Sequence, residues 1–388
     1  MHAASAAGTS AAAVAEVVGD AEPMPVPHAA AAWEFWRRMG APKYHVAPMV
    51  DQSELPYRML CRANGATCAY SPMYHARLFH EDLKYRAEFT TCPEDRPLLV
   101  QFCANDPGHL LRAAKLVEDK CDAVDINFGC PQRIAKRGFY GAFLMDDLEL
   151  VEKLVRELVA GLKIPVTCKI RIFPEIEKTL AYAKMIERAG CSVLAVHGRT
   201  RDQKNTSEIR ADWEPIRRVK AALSIPVLAN GNVRHLGDAA ELLAYTKCDG
   251  VLSAESLLVD PSLFSPSRLR TPYSSAEGVR LLRGYLTNVL RFPVPMRMVK
   301  GHVHKLVGGW LSEFHDLRDL VNRGGLDIQG LLDQVVDELD RRVSSLGRTE
   351  PVPTLTERAR QRLEAERAKQ AAIEEQDREA AALAALDA

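Results

Sequence analysis

Cys130 stands in the run Asp125-Ile126-Asn127-Phe128-Gly129-Cys130-Pro131, directly after the strand-like stretch Ala123 to Phe128. A Gly and a Pro on either side hold a chain in a tight turn at the C-terminal end of a strand, where a thiol faces a cleft instead of the core. If that strand belongs to a barrel, its C-terminal end is where chemistry is done. Taken alone, an isolated thiol is equally well a buried structural residue, so its meaning depends on its neighbours.

Those neighbours are polar in a way that a core does not require. Read in order, apolar stretches end in Ala47-Pro48-Met49-Val50-Asp51, carry Gln101, and lead to Asn127 and Cys130. Later ones carry Lys169 and Arg171, then end in His197-Gly198-Arg199, Asn230-Gly231-Asn232 and Ser253-Ala254-Glu255. Lys169 and Arg171 lie two apart and share one face of a strand, and no acid alternates with them. Two cations facing the interior of a barrel need an anion to offset their desolvation, which predicts a bound phosphate or an anionic ring. Asn230-Gly231-Asn232 reads either as a plain turn or, at the end of a seventh strand, as a phosphate site built from loop amides. His197 by itself is an ordinary core histidine. Beside Lys169 and Gln101 it becomes a donor to the heteroatoms of a planar cofactor.

A regular alternation positions these groups. Short apolar runs at 44–50, 68–73, 97–103, 123–129, 166–172, 193–199, 225–231 and 250–255 are separated by segments of helical periodicity, with Gly, Pro and Asn at the joins. Eight such units, with strands apolar on both faces, predict an α/β fold, a parallel (β/α)8 TIM barrel. A doubly wound open sheet is the alternative, but it would gather polar residues at one switch point, whereas here they recur at nearly every strand end. After about Pro266 only helices are predicted: Ala276 to Arg291, Pro295 to Val307, Ser312 to Arg323 and Ile328 to Ser344. The expected organisation is a disordered Ala-rich extension over 1–38, a catalytic barrel over 39–266, a small all-helical domain over 267–348, and a charged helical or disordered tail over 349–388.

With 51 Lys plus Arg against 51 Asp plus Glu in 388 residues, the chain has no global basic field, so any nucleic-acid surface must come from local clustering. From Gly278 to Ser312 there is no acid, while Arg280, Arg283, Arg291, Arg297, Lys300 and Lys305 occur with His302, His304, Tyr285 and Trp310. A solvated face would mix signs, so this stretch predicts a polyanion surface, with a chance cation-rich helix pair as the plain alternative. Nine cysteines without a CxxC pair argue against a disulfide framework and a zinc knuckle and fit a reducing compartment. No apolar run approaches the roughly eighteen residues that span a bilayer. Residues 1–32 contain Glu16, Asp20 and Glu22 and no Lys or Arg, which fits neither a secretory nor a mitochondrial leader. A cytoplasmic protein is expected; nuclear residence is compatible with the sequence, and the Ala-rich start also resembles plastid leaders.

Five stretches together resemble the signature blocks of the tRNA-dihydrouridine synthases: Ala47-Pro48-Met49-Val50-Asp51, Asn127-Phe128-Gly129-Cys130-Pro131, Lys169-Ile170-Arg171, His197-Gly198-Arg199-Thr200 and Ala229-Asn230-Gly231-Asn232. The resemblance is strong over about 41–265 and loose over the helical region. Ala47 to Leu60, read as APMVDQSELPYRML, is most similar to the eukaryotic class acting on positions 16 and 17 of the tRNA D-loop.

The resemblance implies an FMN enzyme that takes hydride from NADPH and reduces the C5–C6 double bond of a uracil base flipped out of tRNA. It casts Cys130 as a neutral thiol giving the proton to C5. Lys169 and His197 would meet the flavin's pyrimidine edge, Gln101 with the Pro48, Met49 and Val50 turn would hold the ring, and Asn230, Gly231, Asn232, Ala254 and Glu255 would line its ribityl and phosphate end. Asn127 and Arg171 would contact the substrate, and Arg283, Arg291, Arg297 and Lys300 would grip tRNA phosphates. A monomer without metal is expected. One departure stands out, Ser256 where the family usually has Gly, which puts a Cβ where backbone would approach a phosphate. Two rival readings remain at this stage: an FMN oxidoreductase of a free pyrimidine, which has no use for a basic helical domain, and a tRNA-binding protein that has lost turnover.

Overall fold

Every one of the eight apolar runs forms a strand, and one two-residue strand is added. In chain order these are β1 (Tyr44–Val46), β2 (Cys68–Tyr70), β3 (Tyr74–His75), β4 (Leu98–Cys103), β5 (Ala123–Phe128), β6 (Val166–Arg171), β7 (Val193–His197), β8 (Val227–Asn230) and β9 (Gly250–Ser253). The computed structural model describes residues 26–204, 209–269 and 271–353, together with 361, 362, 364, 365 and 368. The sheet runs β2-β1-β9-β8-β7-β6-β5-β4 and closes through a β2–β4 pairing, so eight strands make the barrel and β3 pairs with β4 alone. All pairings are parallel, which brings every strand's C-terminal end to one mouth. There the register sets Asn127 beside Lys169, Arg171 beside His197, and His197 beside Asn230.

The opposite end is filled. Leu99, Ala123, Val193, Leu228 and Leu252 form a buried cluster with Tyr70, and Phe35 and Trp36 join it from outside the sheet. These two rings belong to helix Val26–Arg38, which corrects the expected extension over 1–38: residues 26–38 are helical, while 1–25 lie outside the described residues. The helix is held where β7 and β8 begin, with His28 Nε2 at 2.8 Å from the Cys191 carbonyl and Trp33 Nε1 donating to the Ser224 carbonyl at 2.7 Å. Trp36 also stacks on the buried ring of His45, centroids 5.8 Å apart. An amphipathic helix with large aromatic rings on its buried side gains far more from packing than its Ala-rich composition suggests.

The chain divides into two compact units at boundaries other than those expected. One contains the residues up to Tyr273 together with Arg283–His302; the other contains Ser274–Leu282 and the residues from Val303 onward. In the first unit, Glu54 accepts from Tyr285 Oη at 2.8 Å and lies 3.1 Å from His302 Nε2, and the Tyr57 ring stacks on His302 at 4.2 Å. Tyr285 and His302 are therefore core residues and not part of a polyanion surface. In the second unit Trp310 is likewise buried, donating from Nε1 to the Ser275 carbonyl at 2.9 Å, with Arg348 over its face. Most of the 349–388 tail lies outside the described residues.

Candidate active site

A buried polar chain runs across the barrel to Cys130. Thr167 Oγ1 on β6 donates to Asp125 Oδ1 at 2.6 Å, and Gln101 Nε2 on β4 donates to Asp125 Oδ2 at 2.7 Å. The other end of the same carboxamide, Gln101 Oε1, accepts from Asn127 Nδ2 at 2.9 Å. Asn127 Oδ1 then accepts the backbone N–H of Gly129 at 3.1 Å and of Cys130 at 2.9 Å, an Asx turn that fixes the thiol loop. Gly141, at φ +64, presses on the same loop; a Cβ there would come 3.0 Å from Cys130 Cβ. Gln101, expected to hold a ring, is buried with both ends of its amide engaged within the protein.

Electrostatics at the mouth follow from burial. Desolvation pushes the Cys130 thiol up, against the pull of Arg171 and Lys169, so it is protonated at neutral pH. The same cause raises Asp125 to about 6, opposed by Thr167, Gln101 and the charge of Lys169. Lys169 falls to about 8 through burial and the nearby Arg171, and it has no hydrogen-bonded or ion-paired partner among the described residues. Burial, then Lys169, Arg171 and Arg199, hold His197 well below the usual imidazole range, so the ring is neutral.

Arg171 is tied into the backbone of the mouth. Its Nε donates to the Gly129 carbonyl at 2.8 Å, and Nη1 donates to the carbonyls of Thr200 at 2.8 Å and Gln203 at 3.1 Å. Three backbone oxygens offset part of its desolvation, through Nε and Nη1; Lys169 has no such acceptor among the described residues. Arg199, quoted in the sequence but given no role there, ties the far side together. It donates from Nε to the Ile209 carbonyl at 3.0 Å, from Nη1 to His197 Nε2 at 3.0 Å and from Nη2 to Asn232 Oδ1 at 3.1 Å. Asp125 was missed as well, although it lies two before Asn127 and so shares its face.

The remaining candidates sort by position. Asn230 donates to the Leu252 carbonyl at 3.0 Å, Gly231 has φ +132 with the Ala211 methyl where its Cβ would be, and Asn232 holds φ +59. Pro48 and Met49 are half-buried after β1, with the Met49 N–H donating to Ser53 Oγ at 3.0 Å, while Val50 is 57% exposed. Ala254 packs against the barrel interior, and Glu255 is exposed with its charge acting on Arg199. Ser256 sits inside helix Glu255–Val259 without a positive φ, so the departure from Gly costs no backbone strain.

Arg291 and Arg297, expected to grip phosphates, are engaged with acids. Arg297 pairs with Asp51 at 3.2 Å and Glu88 at 2.8 Å, and Arg291 with Glu94 at 3.3 Å; Arg283 and Lys300 are half-buried. The acids missing from Gly278–Ser312 are thus supplied by earlier loops. One group among the described residues, His80, Glu81 and His109, brings ligand atoms within 4.8 Å of one another. His80 Nε2 and His109 Nδ1 nonetheless stand at 2.6 Å, a hydrogen bond without space for an ion between them, and Arg112 approaches the same Nδ1 at 3.1 Å. No helix among the described residues is long and apolar enough to cross a membrane.

Known proteins match this chain over the same region. The family model described as "Dihydrouridine synthase (Dus)" matches residues 45–313. A Rattus norvegicus tRNA-dihydrouridine(16/17) synthase-like protein, with NAD(P)(+) in its name, is 47% identical over 291 residues, covering 74% of this chain and 65% of that protein. The Schizosaccharomyces pombe tRNA-dihydrouridine(16/17) synthase is 46% identical over 303 residues, 75% of each, and its Saccharomyces cerevisiae counterpart 43% identical over 295 residues, 74% of this chain and 70% of that one. The chain thus spans just under two thirds of the length of the rat relative. Because the match begins on the first barrel strand and runs past the last, through the thiol loop and both cationic strand ends, the chain belongs to the dihydrouridine synthase family.

Proposed function

We propose that this protein reduces uridine to dihydrouridine in tRNA, at positions 16 and 17, with FMN as its bound cofactor and NADPH as reductant. The relatives named above support the substrate, since each carries tRNA-dihydrouridine(16/17) synthase in its name. The observation that carries the chemistry is the placement of the Cys130 loop, after β5, at the same barrel mouth as Lys169 on the adjacent β6, whose ammonium has no partner among the described residues.

The residues fit a flavin. Lys169 offers an ammonium to an anionic ring edge, neutral His197 offers one ring nitrogen beside it, and the loop after β8, with positive φ at Gly231 and Asn232, would present backbone amides to a phosphate. When bound, FMN supplies the hydride that adds to C6 of the uracil. Cys130 then has a single task, to hold a proton and deliver it to C5 from the opposite face. The Asx turn from Asn127 sets the height of its Sγ, and the raised thiol pKa keeps the proton in place until carbanion character develops at C5. Lys169, cationic at neutral pH, stabilises negative charge at the ring edge, an effect enlarged by its burial.

The test is to record the visible absorbance of the purified protein and incubate it with NADPH and an unmodified tRNA transcript. Dihydrouridine is then mapped by reverse-transcription stops after alkaline ring opening. A flavin spectrum and stops at positions 16 and 17 are expected. A yellow protein that leaves tRNA unmodified moves the free-pyrimidine oxidoreductase ahead, and a colourless protein that binds tRNA supports the non-catalytic reading. Cys130→Ala should keep the flavin spectrum and its bleaching by NADPH while abolishing stops; loss of flavin from that variant would sink the proton-donor role.

A further inference from the structure

Helix Arg133–Gly138 begins three residues after Cys130 and carries Arg133, Lys136 and Arg137, all exposed. None of the three has a hydrogen-bonded or ion-paired side chain among the described residues. Three other arginines of this unit are paired with acids, Arg201 with Asp146 at 2.6 Å, Arg291 with Glu94 and Arg297 with Asp51 and Glu88. Arg133 lies three and four residues before Lys136 and Arg137, so the three cations crowd one side of a single turn and repel each other. An anion from outside would relieve that repulsion.

The segment is also registered on the thiol. Ala135, between the cations, is fully buried in a cluster with Cys103 and Tyr140, against which Cys130 packs. Asn105 Nδ2 fixes the end of the helix by donating to the Gly138 carbonyl at 2.9 Å. The next residue, Phe139, holds φ 48 and ψ 60 and is 42% exposed. Glycine takes that conformation freely and a bulky aromatic residue does not, yet here it presents a ring to solvent beside three cations. Ile134 adds a further exposed apolar group, at 60%.

We propose that Arg133 to Phe139 is an RNA-docking surface beside the thiol, with Arg133, Lys136 and Arg137 on phosphates flanking the reacting uridine and Phe139 stacked on a neighbouring base. This rests on the reading of the protein as acting on tRNA. Cations on one helical turn meet successive phosphates, and a base drawn out of its stack leaves a neighbour with an open face that an aromatic ring covers. A purely acidic protein partner would use the cations but not the ring, and a membrane surface would need a longer apolar face than Ile134 and Phe139 supply.

Two variants of the full chain test this against an unmodified tRNA transcript, by binding measured at several salt concentrations. Arg133→Gln/Lys136→Gln/Arg137→Gln should weaken binding about tenfold or more and flatten the slope of log K against log salt by about two. Phe139→Gly should weaken binding about tenfold while its thermal midpoint stays level or rises, because glycine relieves the left-handed backbone. Since this second change favours the fold, it answers the question even if the triple variant does not fold. If wild type binds and modifies tRNA but both variants keep its affinity and salt slope, the docking surface is overturned and the synthase reading stands. If wild type neither binds nor modifies tRNA, both fall.

Discussion

Arg199 Nη1 stands 3.0 Å from Nε2 of His197, and because a guanidinium can only donate, that ring nitrogen is an acceptor. With the ring held neutral by burial and by Lys169, Arg171 and Arg199, its one proton resides on Nδ1. His197 therefore offers a single hydrogen bond of fixed direction. Nitrogen-15 NMR of labelled protein should show the Nδ1–H tautomer unchanged between pH 5.5 and 8.5. Arg199→Met should release Nε2 from its donor and give a mixture of the two neutral tautomers. An Nε2–H signal in wild type would contradict the arrangement.

The hydrogen-bond polarity set by Asp125 extends to the thiol loop. A carboxylate there accepts from both Thr167 and Gln101, which turns the Gln101 oxygen toward Asn127 and the Asn127 oxygen toward the Cys130 N–H. Asp125→Leu removes the acceptor that orients the Gln101 amide, so the Gln101 and Asn127 amides lose their fixed polarity. The expected result is a folded protein whose dihydrouridine yield falls about a hundredfold or more, the scale of losing a positioned proton donor. A variant with wild-type yield would show that the chain of amides does not position Cys130.

Asp125 also gives a pH signature. Its folded pKa of about 6 lies above the reference 3.8, so the folded state holds the proton more tightly than the unfolded one. The group's stability contribution is complete below about pH 4 and is lost as pH rises to about 6, a fall of about 3 kcal/mol for a shift of about two units. Urea unfolding of wild type and Asp125→Asn at pH 4, 5, 6 and 7 isolates the effect as a difference. That difference should move in favour of the variant with rising pH, and a constant difference would refute the raised pKa.

Cys130 should behave as a reluctant nucleophile. Burial raises its pKa above the ordinary thiol value, so iodoacetamide labelling of the Cys130 peptide should be slow at pH 8 and still climbing at pH 9. A plateau below pH 8 would identify an activated thiolate and remove the basis for proton donation.

Trp36→Ala should destabilise the barrel by about 3–5 kcal/mol, the usual cost of deleting a large buried ring. Chemical denaturation measures it, and a loss under about 1 kcal/mol would mean that helix Val26–Arg38 does not share the barrel's cooperative core.

The barrel was legible because strands buried on both faces read as continuous apolar runs, and its chemistry because Lys169, His197 and Asn230 interrupt those runs at their ends. β3 was not, since two residues carry no period. Helix Val26–Arg38 was hidden by its alanines, although Trp33, Phe35 and Trp36 within four residues are more aromatic mass than a disordered leader carries. The cationic stretch from Arg280 to Lys305 misled for a different reason. A one-dimensional reading counts only neighbours in sequence, and the acids that answer Arg291 and Arg297 come from Asp51, Glu88 and Glu94. Arg133, Lys136 and Arg137 had the opposite fate, being too few to notice until the fold set them beside Cys130.

Trp36 and Phe35 close one end of the barrel, so the molecule is a vessel with a single door. On the proposed chemistry, the nicotinamide donor and the uracil acceptor must both use that door, and each needs the same reacting centre behind it. They have to call in turn, one leaving before the other enters. Initial-rate plots at varied NADPH and tRNA should accordingly give the parallel lines of a ping-pong sequence, and an excess of either visitor should slow the other.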